Sequence, residues 1–278
     1  MRQDRTSGAA ELVPKAAETL EWAARQVGFS DAALVAVGQE LIRAQPAMAS
    51  IFNLVNAALL AGVERAAESC REFLTRTERA AQAVAAEAAR HIQDNVTVMT
   101  HSWSSTVLRA LLTAWETGRR FQVICTESRP LREGVTLARK LAGASVPVRL
   151  IVDAAAYSFL EQTQLALVGA DSITARGLVN KAGTAALALT AKTLGVPVYT
   201  LASTDKFLPA RYAAPAQELR DPGEILEERV ENVIPVNYYF DVTPLQYLTG
   251  VVTEEGVLRP DTVAARLEAL PVHPGLAG

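Results

Sequence analysis

Hydrophobic and polar positions follow two patterns that meet near residue 93. Before that point the chain is rich in alanine, nearly free of glycine and proline after Pro46, and apolar at three- and four-residue steps. Ala9, Leu12, Val13, Ala16, Ala17, Leu20, Ala24 and Val27 form one stripe behind the potential cap Ser7, and Gly28 closes it. The spacing predicts an amphipathic helix there, a second between Ser30 and Pro46, a third over 47–60 and a long fourth over 62–91. Cys70 falls on the apolar stripe of the fourth, which predicts a buried core thiol.

From Asn95 onward short apolar runs alternate with amphipathic stretches. The runs at 96–100, 121–126, 148–152, 165–169 and 198–201 predict strands, with helical patterns over 104–117, 131–141, 154–162 and 183–194 between them. Alternation of this kind predicts a parallel, doubly wound sheet with helices on both faces. The fold class expected is therefore α/β, with an all-helical domain over 1–92 and an α/β domain over 93–278. Cys125 lies inside the second run, so packing is its expected role.

Composition narrows the function. Among 278 residues, 27 basic side chains face 30 acidic ones, for a formal net charge of -3, which leaves no basic excess for coating nucleic acid or anionic membrane. Two cysteines and three histidines make a disulfide framework or a multi-histidine metal centre unexpected, and no metal or cofactor is expected. The opening residues are charged, and no apolar stretch reaches the ~20 residues of a membrane span. A soluble protein of a reducing, cytoplasmic compartment is the expectation.

In an open parallel sheet a ligand lies beyond the carboxyl ends of the strands, so the residues after each run matter most. Here they are polar: Thr100, His101, Ser102 and Ser104 after the first, Glu127, Ser128 and Arg129 after the second, Asp153 after the third, Asp171 after the fourth, and Ser203, Asp205 and Lys206 after the fifth. Asn180 and Lys181 lead into the helix at Thr184. Arg129, Lys181 and Lys206 can pair with phosphate oxygens, and helix starts at Ser104 and Thr184 offer unpaired N–H groups to an anion. A phosphorylated small molecule fits that set, with Asp171 and Asn180 meeting an uncharged polar part such as a sugar. Neither GxGxxG nor GxxxxGK[ST] occurs at a helix start, which disfavours dinucleotide and P-loop chemistry.

The segments THSWSSTVLRAL at 100–111, TESRPLREG at 126–134, VGADSITARGLVNKAGT at 168–184 and FDVTPLQYLTGVVTEEGV at 240–257 resemble motifs of one family. It comprises the alpha, beta and delta subunits of translation initiation factor 2B, ribose-1,5-bisphosphate isomerase and methylthioribose-1-phosphate isomerase. SGAAEL at 7–12 and QPAMASIFNLVN at 45–56 resemble its helical part. The resemblance implies a Rossmann-like C-terminal domain, a phosphorylated small-molecule ligand, and a homodimer or higher homo-oligomer, with no direct nucleic-acid or membrane partner. It carries the isomerase aspartate onto Asp171, the Asn–Lys pair onto Asn180 and Lys181, and phosphate contacts onto Arg129, Arg5, Ser7, Gly8 and Ala9.

The isomerases keep a cysteine where this chain has Ser102. Aldose–ketose isomerisation needs an acid and a base at adjacent carbons with pKa values near the working pH. A thiol can be tuned there, whereas a serine hydroxyl needs a neighbouring base, for which His101 is the candidate. The THS form is closer to the initiation-factor alpha subunit, which implies a regulatory or ligand-binding protein, with isomerisation through Asp171 and Ser102 or His101 as the alternative. In NYYFDVTP, Asp241 is read either as a residue beside the pocket and dimer contact or as the cap of a short helix starting at Thr243–Pro244.

Overall fold

A computed structural model describes residues 9–26, 30–212 and 219–277 of the chain. Four helices come first: α1 (Ala9–Ala24), α2 (Asp31–Ala44), α3 (Ala49–Ala61) and α4 (Ala66–Ala89). Ser30 caps α2 through its side chain, which accepts from Ala33 N–H, so the predicted start holds. Their apolar stripes meet in one core built from Leu12, Leu20, Leu34, Ile51, Phe52, Leu54 and Phe73. Cys70 is in this core with its thiol pKa pushed up to about 12 by burial.

The rest of the chain runs β1 (Thr97–His101), α5 (Ser105–Glu116), β2 (Gln122–Thr126), α6 (Glu133–Gly143), β3 (Val148–Ile151), α7 (Ala156–Leu160), β4 (Leu165–Val168), β5 (Ser172–Thr174), β6 (Gly177–Lys181), α8 (Thr184–Thr193), β7 (Val198–Leu201), β8 (Phe240–Thr243), β9 (Gly250–Thr253), β10 (Gly256–Leu258) and α9 (Pro260–Glu268). A seven-stranded sheet has the order β10-β9-β7-β4-β1-β2-β3, parallel except for β10. Successive side chains of each strand feed opposite faces: Val98, Val123, Leu165 and Leu167 pack under α5 and α6, while Met99, Ile124, Ala166 and Val168 pack under α7, α8 and α9. The last turns of α4 supply Val84, Ala85 and Ala88 to the first of these cores, so α4 belongs to both the helical layer and the sheet.

From β1 the chain moves outward through β2 and β3, then returns beside β1 as β4 and continues the other way. The loops after β1 and β4 therefore leave to opposite sides, which opens a crevice at that switch point. A second, antiparallel sheet of order β5-β6-β8 sits beside it. The hydrophobic pattern did not reveal this small sheet or the β9–β10 hairpin. Asp241 lies in β8 and its Oδ2 accepts from Gly183 N–H at 2.8 Å and Ala185 N–H at 3.2 Å. It caps α8 across the fold, which corrects its reading as cap of a helix at Thr243–Pro244. That stretch is instead the end of β8 and a 3₁₀ turn at Leu245–Tyr247.

Candidate functional site

The switch-point crevice is a cavity of about 350 Å³ between the helical layer and the sheet. Ala9, Ala10 and Pro14 of α1 line one part, Ser104, Ser105, Thr106 and Arg109 another, and Asp171, Asn180, Ser203, Asp205 and Lys206 the strand ends. Gly169 permits the approach of β4 to α5, since a Cβ there would lie 2.8 Å from Ser104 Cβ. Ser104 caps α5 by accepting from Val107 N–H at 3.3 Å. The first N–H groups of α5 are thereby presented at the cavity wall.

Asp171 is the perturbed acid of this cavity. Its main chain is fixed on both sides, with its N–H donating to Val179 O at 3.0 Å and its carbonyl accepting from Ala49 N–H at 3.2 Å. Burial raises the carboxyl pKa to about 6, partly offset by Lys206 and Lys181 and reinforced by Glu133. No described residue hydrogen-bonds its carboxylate. Lys206 directs Nζ at the Ala170 carbonyl, and Asn180, which is buried, donates from Nδ2 to Thr184 Oγ1 at 3.0 Å.

Beside the cavity lies a second cluster that does not line it. Lys181 is 4% exposed and pairs with Glu133 Oε2 at 2.6 Å beneath the Tyr239 ring, 4.8 Å from its centroid. Ser102 Oγ donates to the same Glu133 oxygen at 3.3 Å. Ser102 and Ser128 both hold left-handed backbone conformations, φ 68° and 63°, which are uncommon for residues with a Cβ and here bend the chain sharply after β1 and β2.

His101 is buried, with Nε2 2.9 Å from Ala182 O and Nδ1 2.6 Å from Thr126 Oγ1. A carbonyl only accepts, so Nε2 carries the proton and Nδ1 takes the Thr126 hydroxyl hydrogen. A directed chain follows: Ser102 N–H donates to Ser128 Oγ at 2.7 Å, Ser128 to Thr126 at 3.1 Å, Thr126 to His101, and His101 to Ala182. Burial lowers the His101 pKa, which keeps the ring neutral in this arrangement. Both nitrogens are committed, so the ring has no lone pair turned to Ser102.

Asp171, Asn180, Lys206 and Ala9 thus meet in the cavity, whereas Ser102, His101, Lys181 and Arg129 stand outside its lining. Arg129 is exposed, its N–H bound to Asp153 at 2.7 Å and its guanidinium 3.3 Å from Glu224 O. Arg5, Ser7 and Gly8 lie outside the described residues. Glu133 and Asp205 stood within the motifs and strand-end lists, yet neither drew a role from the sequence. An acid in the first turn of a helix after a strand, as at Glu133, was the signal available. Among the described residues no group of three His, Cys, Asp or Glu side chains could hold a metal ion, and no described helix is long and apolar enough to cross a membrane.

Comparison with known proteins points one way. Residues 4–260 match the initiation factor 2 subunit family. The translation initiation factor eIF-2B subunit 2-like protein of Pyrococcus horikoshii is 38% identical over 267 residues, covering 94% of each chain. The ribose 1,5-bisphosphate isomerase of Archaeoglobus fulgidus is 34% identical over 275 residues, covering 94% of this chain and 88% of its own. Among solved structures, a Pyrococcus horikoshii translation initiation factor eIF-2B superposes with a TM-score of 0.84 at 36% identity, covering 93% of this chain and 94% of that one.

Proposed function

The chain belongs to the initiation factor 2 subunit family, and from that premise we propose that it binds a phosphorylated sugar in the switch-point cavity as a regulatory, alpha-subunit-like protein. The observation that carries this is the convergence on one cavity of the α5 N-terminus at Ser104–Thr106, the Ala9–Ala10 stretch of α1 and Lys206. The start of α5 presents unpaired N–H groups and the positive end of the helix dipole, the natural seat of a phosphate. Asp171 and Asn180 then face the hydroxylated part of the sugar. Lys181 and Arg129 act at one remove, the first by neutralising Glu133 and the second by bracing the loop after β2.

The regulatory half of the reading rests on Ser102. Its hydroxyl is turned to Glu133, Glu133 is held by Lys181, and His101 has no free nitrogen, so nothing in this cluster raises the alcohol to a proton-transfer group. One observation favours the second reading, an aldose–ketose isomerase: the Asp171 pKa of about 6 suits an acid–base residue near neutral pH. Assembly into a homodimer or higher homo-oligomer in the cytoplasm completes the proposal. It is supported by Ile225, Val230, Val233, Ile234 and Val236, all exposed on one segment, Ile234 by 86%.

Calorimetric titration with ribose 1,5-bisphosphate, followed by a product assay, tests the choice. Saturable binding without ketose product is the expected result. Sustained conversion that disappears in Asp171→Asn would install the isomerase reading, and absence of any binding would remove both.

A further inference from the structure

The cavity contains a carboxylate that phosphate binding does not require. Asp205 lines it from the 3₁₀ turn Thr204–Lys206 that follows β7. Ser50 Oγ of α3 donates to Oδ2 and Ser203 Oγ donates to Oδ1, and both serines line the same cavity. The turn is fixed independently of the side chain, because Asn53 Nδ2 holds the Asp205 carbonyl at 2.7 Å and the Phe207 carbonyl at 2.8 Å. No described cation pairs with the Asp205 carboxylate, and Lys206 next to it turns to the Ala170 carbonyl.

A carboxylate facing a phosphate would weaken binding by like-charge repulsion, so Asp205 belongs against a part of the ligand that donates hydrogen bonds. An ionised carboxylate only accepts, at about four lone-pair sites on two oxygens. The serine hydroxyls use one site on each oxygen and leave one on each. Two hydroxyl donors shared between the two oxygens is also how a carboxylate would hold a vicinal diol, and Ser50 and Ser203 fix its plane for that purpose.

Resting on the sugar-phosphate reading of the cavity, we propose that Asp205 is a specificity-determining residue that selects ligands carrying a vicinal diol, as in the ring of a ribose phosphate. The diol hydroxyls donate to the open sites of Oδ1 and Oδ2. A ligand lacking one hydroxyl leaves a desolvated carboxylate oxygen short of a donor, and that loss gives the discrimination.

The test compares ribose 5-phosphate with 2-deoxyribose 5-phosphate by calorimetry on the full chain, its Asp205→Ala variant and its Asp205→Asn variant. Asp205→Asn preserves volume and carries the test if the alanine variant does not fold, with thermal unfolding as the check. The wild type is expected to favour the ribose form by about 10- to 100-fold, the range for a hydrogen bond to a charged acceptor. In the variants the ratio falls to within about twofold, with ribose affinity falling relative to that of the deoxy sugar. Equal binding of the two sugars by the wild type, an undiminished ratio in the variants, or an equal fall in both affinities would overturn the assignment. The last of these would make Asp205 a latch between α3 and β7. Binding of neither sugar would overturn the sugar-phosphate reading itself.

Discussion

Lys181 and Lys206 both act on Asp171 electrostatically, each lowering the pKa that burial raises, yet their surroundings differ. Around Lys181 every strong group is engaged: its ammonium meets Glu133 at 2.6 Å, Glu133 also accepts from Ser102, and the Tyr239 ring covers the pair. Around Lys206 the balance is open. Among the described residues its ammonium takes only the Ala170 carbonyl, Asp171 beside it receives no side-chain hydrogen bond, and Asp205 keeps acceptor sites in the cavity. A saturated cluster of buried charges holds geometry, and an unsaturated one facing a cavity has free energy left for a ligand.

The saturated side is the more fragile to single changes. Lys181→Ala leaves Glu133 with the Ser102 hydroxyl alone among the described residues, and removing one partner of a buried pair costs about 3–5 kcal/mol. Denaturant unfolding should show that loss, while Lys181→Met combined with Glu133→Gln should recover much of it. Lys206→Ala should cost less stability and reduce phosphate-sugar affinity instead. Equal stability losses at the two lysines would erase the distinction between the clusters.

This contrast marks the limit of what the sequence makes legible. Residue types and strand-end positions are enough to place Asp171 and Lys206 together, because in a parallel sheet all strand ends point to one edge. They cannot tell a lysine that is free for a ligand from one already paired. Lys181 reads as a phosphate contact in the sequence, since its partner Glu133 lies 48 positions earlier, on helix α6. The short apolar runs of β1, β2 and β4 are legible because both faces of those strands are buried, which leaves nearly every position apolar. The strands β5, β6 and β8 were not, since β5 has three residues and pairing with β8 spans some sixty positions, as in Leu178 with Thr243. Asp241 was misread for the same reason: its capped helix is remote in sequence.

Asp171 sharpens the comparison from the open side, because its carboxylate lowers the stability of the fold. The folded pKa of about 6 lies above the unfolded value, so the protein binds more protons than the unfolded chain between the two pKa values. The penalty is full above the folded pKa, shrinks as pH falls through it, and vanishes below the unfolded pKa near 4. A shift of roughly two pH units corresponds to about 3 kcal/mol. Asp171→Asn should therefore stabilise the protein by about 2–3 kcal/mol at pH 7.5 and by almost nothing at pH 4, measured as the difference in urea-unfolding free energy. A destabilised asparagine variant at pH 7.5 would mean that the carboxylate is held by the fold, as Glu133 is.

The two serines of the saturated side give the smallest effects and the finest test. Ser128 Oγ accepts Ser102 N–H at 2.7 Å and passes its own hydrogen to Thr126 in the chain that ends at the Ala182 carbonyl, all with buried groups. Ser128→Ala leaves a buried N–H without its acceptor and Thr126 without its donor, a loss of about 1–3 kcal/mol. Ser102 Oγ contributes one 3.3 Å bond to a carboxylate that already has Lys181, and its N–H remains whatever the side chain. Ser102→Ala should therefore cost at most about 1 kcal/mol. The order of the two losses is the measurement that matters, by denaturant unfolding under one set of conditions. If Ser102→Ala proved the more costly, its hydroxyl would be holding Glu133 as firmly as Lys181 does. Ser102 would then be a structural anchor of the saturated cluster, and the alcohol at that position would owe its presence to folding.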